Sequence, residues 1–301
     1  MSDEMENKNS SPYPLSPIPY TLRSMFVRSF FIQAGWNYER SQNVGFAFAL
    51  LPALRRVYGN TERYYAALLR HLELFNTQPY MAGFILGNVA KMEEKLAGAV
   101  STTENEAEIR TLTGVKQALA QSFAAIGDRI FWGRLKPMTV QVCLIVWTLG
   151  GFYGWLFTSC QETPSLWLIL AGPLSGAAAY SAFAVYWRWK GMQSGFECGG
   201  ASNCGLEDLN WSRFIRRLSV AGFIFSLLIA LVALGLFIAF NYTRLSGSEL
   251  ALRLGLLAGV LAAHRVARRL GRSVFFVIGL TLSVSLFLFW ALKLKPFDFY
   301  L

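Results

Sequence analysis

LSVAGFIFSLLIALVALGLFIAF, residues 218–240, is the strongest apolar run in the chain. It contains no charged residue, and about 20 apolar residues suffice for a helix to cross the hydrocarbon core of a bilayer. Arg213, Arg216 and Arg217 come directly before the run. Because basic residues flank membrane helices on the cytoplasmic side, this stretch predicts a membrane-spanning helix that starts in the cytoplasm.

Further apolar segments surround this run. Three are of spanning length: Met138–Thr158, Ser165–Trp187 and Val274–Leu292. A shorter one, Ser248–Ala263, contains Arg253 and is typical of either an interfacial helix or a span. If it crosses, the arginine-rich stretch Arg265–Arg272 lies inside, as the positive-inside tendency favours. We therefore predict an all-α integral membrane protein with about five membrane-spanning helices in its C-terminal half and an external C-terminus.

The N-terminal half has a different pattern. Residues 1–22 are polar and proline-rich, which predicts a disordered cytoplasmic tail, and residues 138–301 form the transmembrane region. Between them, residues 23–137 show helical spacing of apolar residues, which predicts amphipathic, interfacial and broken helices. The predicted elements are an interfacial segment Leu22–Tyr38, helices Asn43–Tyr58, Thr61–Phe75, Tyr80–Leu96 and Gly114–Ile126, and an exposed loop Ser101–Glu108. The last helix is expected to stop at Gly127-Asp128.

Composition limits the classes of function. Apolar residues make up 54% of the chain and charged residues 15%, against about a quarter charged in soluble domains. The net charge of +10 is typical of basic residues beside membrane helices, so we expect no nucleic-acid partner. The only histidines, His71 and His264, belong to no local catalytic signature. We therefore expect that the chain is not an enzyme and binds no metal or cofactor. Cys198 and Cys204 fit either a disulfide or free thiols, and we favour free thiols.

Two polar segments are candidates for a binding site. His71–Tyr80 interrupts the helical pattern and includes Glu73, Asn76 and Gln78, which are residue types that bind sugar hydroxyls. Broken helices in transporters line substrate cavities, although an ordinary polar turn between two helices has the same spacing. Asp128 and Trp132, in Gly127–Gly133, have two equally good interpretations. In one, both residues bind the sugar. In the other, Asp128 forms an ion pair with Arg129 and Trp132 anchors the chain at the membrane interface.

Several blocks of residues, in one order along the chain, resemble the IID component of the mannose/fructose/sorbose family of phosphotransferase system (PTS) permeases. The blocks are Arg28–Arg40, Gln42–Ala47, Leu51–Leu54, His71–Tyr80, Ile85–Gly87, Met92–Glu94 and Ile126–Gly133. The resemblance implies a multi-pass protein of the bacterial inner membrane that pairs with a IIC membrane subunit, as a trimer of IIC–IID pairs. It further implies inward translocation of a sugar, which IIA and IIB phosphocarrier proteins phosphorylate.

The resemblance also suggests which residues act. Those near the sugar path are Glu73, Asn76, Thr77, Gln78, Asp128 and Trp132, and those that contact the partner subunit are Arg28, Phe31, Trp36 and Asn37.

Departures from the family pattern mark the same region. Gln78 stands where the family usually has His, Arg129 where a small residue or Pro is usual, and Arg134 where Thr is usual. Gln121–Ala125 replaces a glycine-rich run. These changes suggest an altered substrate, such as an anionic or amino sugar. The alternative is a divergent, non-transporting paralogue that acts as a regulatory, scaffold or receptor subunit.

Overall fold

The computed structural model describes residues 18–98, 104–150, 165–199, 206, 210–244, 247–271 and 273–291. These residues form helices joined by short turns, with isolated bridges but no β-strand among them. The helices are α1 Ile18–Ser29, α2 Asn43–Tyr58, α3 Glu62–Arg70, α4 Ala82–Gly98, α5 Glu104–Gly127, a π-helix Asp128–Leu135, α6 Lys136–Leu149, α7 Leu166–Cys198, α8 Trp211–Arg244, α9 Gly247–Arg269 and α10 Val274–Ala291. The prediction of an all-α fold is confirmed.

Several predicted boundaries differ from the observed ones. Helix α1 begins at Ile18, inside the predicted tail, since Pro19 is tolerated in the first turn of a helix. Helix α5 begins at Glu104, within the predicted loop, where an acidic first turn complements the helix dipole. Helix α3 ends at Arg70 rather than Phe75, so the break before α4 is longer than predicted.

The α-helix α5 ends at Gly127, as predicted, but the chain stays helical beyond it. Gly127 has helical dihedral angles, and the following residues form the π-helix. The N–H of Lys136 donates to the carbonyl of Phe131, which is the five-residue spacing of a π-turn. A single glycine is tolerated inside a helix at about 1 kcal/mol relative to alanine, and here the absence of a Cβ allows a close contact described below.

Aromatic side chains fill the core between α2, α4 and α5. Phe84 and Phe123 stack with their ring centroids 4.5 Å apart, and Phe46 lies 4.1 Å from Phe75 of the break. All four rings are fully buried. The break between α3 and α4 is therefore anchored in the core by Phe75.

Helices α4 and α7 cross at glycines on both sides. A Cβ at Gly83 would overlap the backbone of Arg188, and one at Gly195 would overlap the backbone of Phe84. Gly87 and Gly191 are equally crowded. Small residues allow two helix backbones to approach this closely. The predicted division of the chain at Pro137 stays a prediction.

Backbone contacts divide the chain into two compact units, and the division falls between Ile229 and Ala230 in the sequence. Within the second unit, α9 contacts α10. Two helices in the described part of the chain, Leu166–Cys198 and Trp211–Gly235, are long and apolar enough to cross a membrane, with mean hydropathies of 1.6 and 2.5. The number of spans stays a prediction.

The cysteines differ from our interpretation. Cys198, the last residue of α7, is disulfide-bonded, so the preference for free thiols is wrong for this residue. Gly199 follows with a φ of +62°, a left-handed conformation that commonly ends a helix. Cys143 is a free thiol.

Candidate functional site

The break between α3 and α4 is held by the side chain of Gln42. Its Nε2 donates to the carbonyl of Thr77 (2.9 Å), and the N–H of Thr77 donates to its Oε1 (3.1 Å). The Thr77 hydroxyl donates to the carbonyl of Ala120 in α5 (2.9 Å). Because buried backbone groups need hydrogen-bond partners, the Gln42 amide replaces the pairing that a continuous helix would give, and it fixes the break in one conformation.

Gln78 joins the two candidate segments. Its Oε1 accepts from the N–H of Tyr80 (2.7 Å), while its Nε2 is buried and has no hydrogen-bond partner within the described ranges. A Cβ at Gly127 would lie only 2.5 Å from the Cβ of Gln78, so glycine is required there. The structure thus brings the break and the start of the π-helix into contact, and it leaves an amide donor between them.

Four of the other five residues predicted for the sugar path are exposed. Glu73, Asn76 and Asp128 are exposed, and Trp132 is 57% exposed with Lys136 Nζ 4.3 Å from its ring centroid. In contrast, Thr77 is buried and its polar groups hold the break. Of the residues predicted for the sugar path, Thr77 and Gln78 are therefore buried, and Glu73, Asn76, Asp128 and Trp132 are accessible to solvent.

The residues predicted for partner contact separate in the same way. Arg28 lies over the Phe48 ring (4.8 Å), and Phe31 and Trp36 are 55% and 50% exposed. Asn37 instead stabilises its own turn, since its Nδ2 donates to Asn43 Oδ1 (2.9 Å) and its Oδ1 accepts from the N–H of Arg40. Phe31 and Trp36 are thus exposed, Arg28 packs on Phe48, and Asn37 has a local structural role; a subunit contact at these residues stays a prediction.

A buried ionic cluster adjoins the break. Glu93 of α4 accepts from Tyr58 Oη (2.7 Å), from Arg70 Nε (2.8 Å) and Nη2 (2.5 Å), and from His71 Nε2 (2.8 Å). Burial acts to raise the pKa of Glu93, but the hydrogen bonds from His71 and Arg70 outweigh it and lower the pKa to about 2. The ionised carboxylate therefore ties α2 and the end of α3 to α4.

His71 is a neutral donor in this cluster. Its ring is fully buried, and burial lowers its pKa despite the hydrogen bond to Glu93; Lys116 and Arg70 lower it further. Its Nδ1 has no partner among the described residues, so a second N–H would be left unsatisfied there. Burial also lowers the pKa of Lys116, whose Nζ donates to the carbonyl of Arg70 (3.3 Å). The Arg70 cation and the neutral His71 ring thus both donate to one ionised carboxylate.

On the other side, Arg188 of α7 packs against the beginning of α4. Its guanidinium donates to the carbonyl of Ser29, at the end of α1, and lies over the rings of Phe30 (4.6 Å) and Tyr80 (5.5 Å). The Tyr80 ring contacts Phe131 of the π-helix (4.7 Å). Helix α7 therefore fixes the side of the break that faces α4.

Comparison with known proteins agrees with this architecture. The profile described as "PTS system mannose/fructose/sorbose family IID component" matches residues 19–244. This chain belongs to that family of IID components. The family expected from the sequence blocks is confirmed.

Curated relatives of this IID component match part of their length. The mannose-specific EIID component of Escherichia coli (strain K12) is 35% identical over 180 residues, which are 60% of this chain and 58% of that protein. The fructose permease IID component of Bacillus subtilis (strain 168) is 31% identical over 58% of this chain and 56% of its own length. The chain thus spans just over half the length of these relatives.

Two solved structures share the fold of this IID component. A chain in the complex of the mannose transporter ManYZ with microcin E492 is 28% identical, with a TM-score of 0.50, over 71% of this chain and 70% of that chain. A structure described as a membrane protein is 30% identical, with a TM-score of 0.54, over 70% and 69% of the two chains.

Sequence reasoning missed the roles of Gln42, Glu93 and Arg188 in this IID component. Gln42 and Glu93 lie inside the matching blocks, but nothing local in the sequence indicates their partners. Gln42 meets Thr77 across 35 positions, and Arg188 meets Ser29 across 159. All three side chains are buried, which is unusual for these residue types and is not visible in the sequence.

Proposed function

We propose that this chain is the IID subunit of a mannose-family PTS permease of the bacterial inner membrane. It pairs with a IIC subunit, in a trimer of such pairs, and carries a sugar inward for phosphorylation by IIA and IIB proteins. Group transfer then takes place on those partners, and this chain is non-catalytic. The family membership and the resemblance to the ManYZ complex support a IIC partner.

One observation carries the transport proposal: the fixed break between α3 and α4 meets the π-helix at Gln78 and Gly127. Irregular backbone is tolerated in membrane proteins where it lines a cavity. The buried Nε2 of Gln78 is an unused donor, and the exposed Asn76 and Asp128 offer amide and carboxylate groups at the same two segments. These groups suit the hydroxyls of a sugar.

The neighbouring arginines give no support to an anionic sugar. Arg134 Nε donates to Ser219 Oγ of α8 (2.6 Å), and Arg129 lines a cavity against the start of α8. Gly127, two positions before Arg129 and therefore on another face of the helix, is the residue that contacts Gln78. We therefore propose a neutral sugar as the substrate class.

The proposal is tested by purifying the chain with its IIC partner and measuring sugar binding by calorimetry. Asn76→Ala and Asp128→Ala should each weaken binding about tenfold, because each removes a hydrogen bond to a substrate hydroxyl. Gln121→Ala, on the exposed face of α5, is the matched control. Unchanged affinity in both variants would refute the placement of the site. A IIC complex that binds no sugar would favour the scaffold or receptor alternative.

We also propose a topology of about five spans, with residues 23–137 on the cytoplasmic side. The arginines that precede and follow the spans carry this proposal, since short loops rich in Lys and Arg stay inside. The exposed apolar face of α8, where Phe223 is 69% exposed, supports contact of this helix with lipid.

A further inference from the structure

A cavity of about 560 Å³ lies between the C-terminal part of α5 and the start of α8, apart from the break. Its walls include Ser122, Ile126 and Arg129 on one side and Asn210, Trp211 and Ser212 on the other. This volume falls in the range of small-molecule sites, about 300–1,000 Å³. The cavity has room for a headgroup-sized ligand.

Arg129 gives the described part of the cavity wall a positive charge. Arg129 lines it, and this arginine forms no ion pair with any residue in the described part of the chain. No carboxylate is among the described residues of its wall. The hydroxyls of Ser122 and Ser212 add hydrogen-bonding groups. A planar guanidinium with nearby hydroxyls is the arrangement that binds phosphate oxygens in proteins.

The first turn of α8 adds to the same field. Asn210 Oδ1 accepts from the N–H of Arg213 (3.0 Å), and the N–H of Phe214 donates to the carbonyl of Asn210 (3.0 Å). This cap fixes the helix start at the cavity, so the positive end of the helix dipole supplements Arg129. The cavity and its arginine define the site, and the helix start strengthens it.

The location of the cavity indicates the source of the phosphate. Seven positions after Trp211, the charge-free apolar run of α8 begins at Leu218, and its Phe223 side chain is exposed. Arg216 and Arg217 lie exposed between them. A phosphate in the cavity would therefore sit at the membrane surface, with acyl chains free to follow the apolar face of α8. A lipid suits this placement better than a soluble anion.

We propose that the cavity binds the phosphate of an anionic phospholipid headgroup. Arg129 is its principal contact, Ser122 and Ser212 complete the polar wall, and the acyl chains lie along α8. This inference is tested apart from the sugar site, because lipid retention and sugar binding are separate measurements.

The test is native mass spectrometry of the purified chain with phosphatidylglycerol or phosphatidylcholine. We expect the wild-type protein to retain phosphatidylglycerol preferentially, and Arg129→Gln to reduce that retention about tenfold, as expected for loss of a charge-assisted hydrogen bond. Ser212→Asp should also reduce it while the protein stays folded, because an acid in the first turn of a helix is stabilising. Arg55→Gln, an exposed arginine on α2, should change nothing.

Three results would overturn the proposal. Equal retention of the two lipids would show that the site does not select an anion. Wild-type retention in both Arg129→Gln and Ser212→Asp would show that the lipid binds elsewhere. Displacement of phosphatidylglycerol by millimolar inorganic phosphate would identify the site as one for soluble phosphate. Sugar binding by the IIC complex is measured separately, so failure of either proposal is distinguishable from failure of the other.

Discussion

At the residue scale, the amide of Gln42 determines whether the break has a fixed shape. It satisfies both the N–H and the carbonyl of Thr77. Gln42→Ala would leave both groups buried without partners. We expect a loss of about 1–3 kcal/mol in the free energy of unfolding, the cost of an unsatisfied buried polar group.

The stability of Gln42→Ala is measured by denaturant or thermal unfolding of the purified protein, with tryptophan fluorescence as the probe of unfolding. Gln33→Ala is the control, because Gln33 is exposed in the turn after α1 and its truncation should change stability by less than about 0.5 kcal/mol. An equal effect of the two variants would show that Gln42 does not hold the break.

Glu93 is the second residue with a large expected effect. Glu93→Gln removes the charge that pairs with Arg70 while the shape is retained, and we expect a loss of about 3 kcal/mol or more at neutral pH, as for other buried pairs broken on one side. Glu106→Gln is the matched control, since its ion pair with Arg110 is 79% exposed on both sides and contributes about 0–1 kcal/mol.

The same carboxylate predicts how stability varies with pH. The pKa of Glu93 is about 2 in the folded protein against an ordinary value of 4.5, so its contribution is complete above pH 4.5 and is lost as the pH falls toward 2. Burial lowers the pKa of His71 from 6.5, so acid also destabilises through this residue, starting below pH 6.5. Thermal unfolding between pH 8 and 3 should show a falling melting temperature, with a smaller fall below pH 4.5 in Glu93→Gln.

At the element scale, the crossing of α4 and α7 depends on glycines. Gly83→Ala should destabilise the protein by about 1–3 kcal/mol, the range for overpacking a tight contact. Gly114→Ala is the matched control: nothing lies within 4 Å of a Cβ there, and alanine is a better helix former by about 1 kcal/mol. Opposite signs in thermal unfolding would confirm the contact, and equal signs would contradict it.

The elements also show what a single sequence can predict. Periodic apolar spacing gave α2 with both of its ends correct, because that helix is amphipathic. The end of the α-helix at Gly127 was predicted correctly, but neither the π-helix that follows it nor the contact of Gly127 with Gln78 is visible in the local sequence. The meeting of the two candidate segments was expected from family resemblance alone. The hydrogen bonds between Gln42 and Thr77 join residues far apart in sequence, which local patterns do not predict.

At the scale of the whole molecule, the arginine distribution predicts sidedness. With five spans, a cysteine introduced at Gly247 should react with a membrane-impermeant maleimide added outside intact cells, whereas Arg269→Cys should react only after the cells are opened. The other native cysteines are replaced beforehand, since Cys143 is a free thiol and Cys160 lies in the loop predicted to be external. Labelling of Arg269→Cys from outside would contradict the five-span topology.

The glycine crossing has a practical consequence for making this protein. A fragment that ended at Pro137 would remove α7 and leave the faces of Gly83 and Gly87 on α4 without the helix that covers them. It would also remove the hydrogen bond that the Arg188 guanidinium donates to the carbonyl of Ser29. Such a fragment should collect in inclusion bodies despite its soluble-looking composition. Expression trials and crystallisation should therefore keep α4 and α7 in one polypeptide, in detergent or lipid from the first step.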